Sequence, residues 1–176
     1  AMFGRTKTIP NRGQSIDPRP ITVGYREFPT TLIPARDAVA RGDVQRSSRA
    51  PNSSYFVDWT SEDDAIVWLL DVNTAGRYNV MVEYTCKLPD VGSTVEFSFK
   101  GSRLSGTVDK GWDPPLYTNQ DTLPRPQGES QMKEFRELEL GQIDLAAGVG
   151  ELVLRATDIP GDSVMDVRRI TLTLLP

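Results

Sequence analysis

In several short stretches of the chain, apolar and polar residues alternate one for one, the period of a strand with one buried face. Tyr78, Val80, Val82 and Tyr84 alternate with Asn79, Met81, Glu83 and Thr85, and Val95, Phe97 and Phe99 with Glu96, Ser98 and Lys100. A third strand is expected where Leu152, Leu154 and Ala156 alternate with Val153, Arg155 and Thr157. A fourth is expected where Ile170, Leu172 and Leu174 enclose Thr171 and Thr173. Met165 and Val167 fall out of phase with Ile170, which predicts a β-bulge near Arg168 and Arg169. Turns at Thr74-Ala75-Gly76 and Ala146-Ala147-Gly148 each deliver the chain into a strand.

Ser61 to Val72 is the one segment where a helix competes, since Ser61 suits an N-cap and Glu62, Asp63 and Asp64 suit the positive end of a helix dipole. The apolar block Ala65 to Leu70 is continuous rather than helically periodic, and it ends at a glycine turn leading into a good strand. A strand buried on both faces is therefore expected. With 14 Gly and 13 Pro spread along 176 residues, little room is left for helices. The expected fold is all-β, an antiparallel β-sandwich or jelly roll over residues 30–176. Residues 1–29 are polar, with prolines at 10, 18, 20 and 29, and read as an N-terminal extension or linker remnant. Residues 109–133 form a connection far longer than usual, of the kind that carries function or disorder.

The absence of histidine excludes mechanisms built on an imidazole base and zinc sites built on imidazole. A net charge of -4 gives no global attraction to nucleic acid or an anionic membrane, and no run is long enough to span a bilayer. Neither class of partner is expected. Of the 20 basic residues 15 are arginine, so local anion sites stay open. Cys86, the single cysteine, sits at a strand end with no base nearby and is expected to be inert.

The long connection holds Trp112 and Tyr117 beside Asp113 and Asn119, rings and hydrogen-bonding groups of the kind that meet the C–H face and hydroxyl rim of a sugar. The alternative is that the rings pin the loop to the sandwich. Arg41, Arg46 and Arg49 offer sulfate contacts if they share a face, or a solvated surface paired with Asp37 and Asp43 if they do not. Asp158, Asp162 and Asp166, around a Pro-Gly turn, and Glu62, Asp63 and Asp64 are the acidic groupings open to a calcium ion. Neither has the spacing of a recognised calcium loop, and no cofactor is expected. No carboxylate pair stands out for glycoside hydrolysis.

The ordered segments IPARDAVARGDVQRS, DAIVWLLDVNTAGRYNVMVEYT, STVEFSFKGSRLSGTV, IDLAAGVGELVLRA and VMDVRRITL resemble the sandwich of family 6 and family 35 carbohydrate-binding modules, in the galactose-binding-like group. PARDAVARGDVQRSSRAPNSSYFVDWTSEDD, DVGSTVEFSFKGSR, DPPL and VMDVR are also similar to a C-terminal domain of bacterial, planctomycete-type arylsulfatase-like proteins. That resemblance implies an accessory domain without its catalytic partner, because the Cys or Ser-x-Pro-x-Arg motif of the sulfatase domain is not in this chain. It implies recognition of a polysaccharide or other glycan, sulfated in one version. The asparagine of the modules' ligand cleft is Val164 here, so the stacking rings expected are Trp59, Trp112 or Tyr117, with hydroxyl contacts from Asp113 and Asn119 and sulfate contacts from Arg41, Arg46 or Arg49. The alternative is a structural domain that packs on the sulfatase domain or completes its cleft. A periplasmic or secreted location is likewise implied, although the chain shows no signal peptide. The modules' structural calcium is held by acids at positions matching Pro34, Arg36 and Asp166. Only Asp166 is acidic here, which implies an Arg36–Asp166 ion pair in the metal's place.

Overall fold

In the computed structural model, which describes residues 19–48, 54–117 and 132–176, the alternating stretches become two facing sheets. The strands are β1 (Ile21–Val23), β2 (Thr30–Pro34), β3 (Val39–Arg41), β4 (Gln45–Arg46), β5 (Phe56–Val57), β6 (Ala65–Val72), β7 (Gly76–Thr85), β8 (Thr94–Phe99), β9 (Ser102–Thr107), β10 (Arg136–Leu145), β11 (Gly148–Asp158) and β12 (Asp166–Leu174). The first sheet runs β1-β6-β11-β8-β9 with β3 also on β6. The second runs β10-β7-β12-β5-β4 with β2 also on β12. Every pairing is antiparallel except β1 with β6.

The expected inward faces form the core. Tyr78, Val80, Val82 and Tyr84 of β7, Val95, Phe97 and Phe99 of β8, and Leu152, Leu154 and Ala156 of β11 are all buried. Trp68 of β6 lies among them and donates from Nε1 to the Pro34 carbonyl at 3.1 Å. The segment that competed for helix is strand β6. Its outer residues Ala65 and Val67 form a small second cluster with Val153. The acids ahead of it close a turn instead of capping a helix: Asp64 accepts from the amides of Asp43 at 2.7 Å and Ser61 at 3.3 Å. The bulge falls where the phase slip placed it, with the β12–β7 register skipping a residue between Val167 and Arg169.

The expected extension needs correction at its end. Ile21–Val23 pairs with Leu70–Val72, Val23 is fully buried, and the Pro29 carbonyl accepts from Leu174 N. The sandwich therefore begins well before residue 30. A three-residue strand between Pro20 and Gly24 is too short to show alternation.

Candidate functional site

Antiparallel pairing brings the end of β7, the start of β12 and the turn after β5 to one end of the sandwich. A cleft of about 490 Å³ opens there, lined by Asp58, Thr85, Asp113, Lys133, Asp162 and Asp166 among others. Asp58 takes a left-handed backbone (φ 57°), a conformation that aspartate tolerates better than most residues.

The cleft floor is an ion pair. Lys133 Nζ stands 2.7 Å from Asp166 Oδ2, and Thr85 Oγ1 donates to the same oxygen at 3.4 Å. The ammonium also lies 5.2 Å from the centroid of the Tyr55 ring and 5.7 Å from that of Phe135, a cation–π environment. Burial raises the Asp166 carboxyl above its ordinary pKa, and the bonds from Lys133 and Thr85 partly offset this. Across the cleft, Asp90 is buried and accepts from Asp162 N at 2.9 Å and Ser163 Oγ at 3.1 Å. These bonds hold its pKa below the usual value and tie the β11–β12 loop to the turn after β7.

The first stem of the long connection contributes Asp113 to the cleft lining. Tyr84 Oη donates to the Lys110 carbonyl, Cys86 and Trp112 exchange both backbone hydrogen bonds at 2.8 Å, and Tyr117 N donates to the Met132 carbonyl. Trp112 Nε1 reaches the Glu134 carbonyl at 3.0 Å, and the Arg136 guanidinium carbon lies 3.4 Å from the Trp112 ring centroid. Trp112 thus pins the outgoing stem to the returning one, with one ring face covered. Asp113 follows it into the cleft lining, and Tyr117 is partly exposed at the stem's end.

Other expected site residues lie elsewhere. Trp59 is 1% exposed, so its ring belongs to the core and offers no face to a ligand. Arg46 is 3% exposed and serves the fold: it donates to the carbonyls of Ala35, Arg36 and Ala38 and to Ser54 Oγ, and burial lowers its pKa to about 10. Arg41 pairs with Glu151 at 2.9 Å. The arginine face expected from sequence proximity is not assembled by Arg41 and Arg46. Arg49 and Asn119 lie outside the described residues.

The expected Arg36–Asp166 pair is also corrected, since Arg36 lies 3.6 Å from Asp37 and Lys133 takes Asp166. The donors do not fit a calcium ion at the position the resemblance implies. Pro34 and Arg36 supply no acid, and the one carboxylate left already holds an ammonium. Asp162 shares the cleft with Asp166, whereas Asp158 sits at the end of β11 opposite Thr94. Among the described residues, no three acidic or sulfur side chains converge as cation ligands. Sequence reasoning missed Lys133, Asp58 and Thr85, for which it held no signal.

No family model and no curated protein matches the chain. Solved structures do. A family 35 carbohydrate-binding module from Clostridium thermocellum superposes with a TM-score of 0.56 at 13% identity, covering 83% of this chain and 98% of that one. The chain shares its fold with family 35 carbohydrate-binding modules. A second such module, from Cellvibrio japonicus, gives a TM-score of 0.53 at 12% identity, covering 82% and 92%. The mosquito-larvicidal Cry4Aa toxin from Bacillus thuringiensis gives 0.58 at 16% identity over 84% of this chain, which spans only 24% of the toxin chain.

Proposed function

We propose that the chain is a non-catalytic accessory domain that binds a glycan in the cleft at the end of its sandwich. The observation that carries this reading is the cleft itself: carboxylates, an ammonium and a hydroxyl converge beside the stem of the long connection, in a fold shared with family 35 carbohydrate-binding modules. Carboxylates and an ammonium at fixed separations are what paired sugar hydroxyls recognise. In this reading Asp113, Asp58 and Lys133 contact hydroxyls, and Tyr117 supplies the stacking ring. Trp112 is a positioning residue that sets the stem carrying Asp113.

Acids outnumber bases in the lining, with Asp58, Asp90, Asp113, Asp162 and Asp166 against Lys87 and Lys133. That balance favours a neutral sugar over a sulfate ester in this cleft. On the resemblance of its segments, the parent protein is proposed to be a periplasmic or secreted sulfatase-like protein. No helix of the described residues is long and apolar enough to cross a membrane.

Affinity gel electrophoresis against neutral polysaccharides tests the reading. Retardation by at least one polymer, abolished in Asp113→Ala and weakened in Tyr117→Ala, is expected. A folded chain that no polymer retards belongs instead to a packing domain.

A further inference from the structure

The bulge in β12 has a consequence on the outer face of the second sheet. In an uninterrupted strand Arg168 and Arg169 would point to opposite faces, and one of them would enter the core. The extra residue between the Val167–Tyr84 and Arg169–Glu83 pairs lets both reach the outer side. There they share one carboxylate: Arg169 Nε lies 3.0 Å and Arg168 Nη1 3.8 Å from Glu83 Oε2. Arg36 joins them from the turn after β2, whose Pro34 is the register partner of Arg169. The three arginines line a groove of about 350 Å³ with Leu32, Pro34, Ser54 and Met132.

One carboxylate cannot neutralise two guanidiniums, and among the described residues Arg36 pairs with Asp37, at 3.6 Å. Among the described residues the groove therefore keeps excess positive charge, with fork-shaped guanidinium donors along its lining. Its third arginine is held in place from beneath, because buried Arg46 donates to the carbonyls of Ala35, Arg36 and Ala38. Half-exposed Leu32 and the Pro34 and Met132 side chains supply an apolar wall beside the donors.

We propose that this groove is a second binding site, for an anionic sugar unit whose carboxylate or sulfate ester is gripped by Arg36, Arg168 and Arg169. The anion follows from the arginines alone. The sugar class rests on the proposed function.

The test is affinity electrophoresis of the full chain in gels containing polygalacturonate, dextran sulfate or a neutral galactomannan, at low and high salt. The two polyanions separate carboxylate from sulfate as the source, and the neutral polymer reports the end cleft. At least one polyanion is expected to retard the chain in a salt-sensitive way. Arg36→Gln and the double variant Arg168→Gln/Arg169→Gln are each expected to weaken that retention about tenfold, the scale of losing a hydrogen bond to a charged group. Arg36 lies on an exposed turn, so R36Q keeps the test valid if the double variant unfolds around Glu83. Polyanion binding unaltered in a folded R36Q, or no polyanion binding by the folded wild type, would overturn the proposal. Galactomannan retention alone would leave the end cleft standing and remove the groove.

Discussion

The ammonium of Lys133 stands 2.7 Å from the carboxylate of Asp166, across 33 residues of sequence, and the pair forms the floor of the end cleft. The two groups oppose one another's desolvation. Burial pushes the Asp166 pKa up, and the Lys133 bond is the first of the effects pulling it back.

Removing the ammonium therefore raises the Asp166 pKa further. Carboxyl-detected NMR titration of Lys133→Met is expected to show that upward shift, and an unchanged or lower value contradicts the pairing. Because the folded pKa lies above the unfolded one, the stability Asp166 contributes is fully present below the ordinary carboxylate value of about 3.9. It is lost as pH rises through the raised value, and in K133M this loss moves to higher pH.

Asp90 has the opposite sign. The backbone bond from Asp162 is the largest cause of its lowered pKa, so its contribution is present above the ordinary carboxylate value and fades as pH falls through the lowered one. Asp90→Ala removes the acceptor for Asp162 N and Ser163 Oγ and is expected to cost about 1–3 kcal/mol at neutral pH. Denaturation curves should show wild type and variant converging on acidification. A deficit that does not depend on pH argues against an ionised Asp90 in the native state.

Arg46 is the clamp of the Ala35–Asp37 turn, and its guanidinium carbon also lies 4.8 Å from the Phe56 ring centroid. Arg46→Ala leaves three carbonyls without that donor and is expected to cost about 3 kcal/mol or more. Arg46→Lys, which lacks the planar fork, should fall between. A loss below about 1 kcal/mol in urea denaturation would show that the turn does not depend on the clamp.

Cys86 is buried, and desolvation, with smaller contributions from Asp90, Asp166 and Asp113, pushes its pKa up to about 11. The thiolate fraction at neutral pH is then negligible. An aromatic disulfide reagent is expected to label the native chain slowly and the unfolded chain at once. Rapid labelling of the folded protein would mean that the cleft end opens far more readily than its hydrogen bonds indicate.

The long strands were legible because their alternation survives over several residues, and the β12 bulge because it leaves a phase slip between Val167 and Ile170. β10 was hidden by a bulge of its own. The register shift between Glu139 and Gly141 puts Leu138 out of step with Ile143 and Leu145, and the exposed Glu137, Glu139 and Asp144 make the segment read as polar. β4 and β5 have two residues each, too few for any period. In the cleft, Asp113, Asp162 and Asp166 were recognisable by residue type. Lys133 was not, because it is returned to the floor by the closure of the long connection, through the Tyr117–Met132 and Trp112–Glu134 hydrogen bonds. Arg46 looked like a surface residue because the carbonyls that hold it belong to a turn whose shape is not encoded locally. The predicted bulge did contain the signal for the Arg168–Arg169 pair, since an extra residue can place two neighbouring side chains on one face.

Binding of the intact chain to a panel of neutral polysaccharides, beside Asp113→Ala and Tyr117→Ala with their folding checked by thermal melts, tests the central claim most directly. The account predicts that at least one polymer retards the wild type and that Asp113→Ala abolishes this retention. A folded wild type that binds none of them, or an Asp113 variant that binds as well as wild type, would contradict a glycan site in the end cleft.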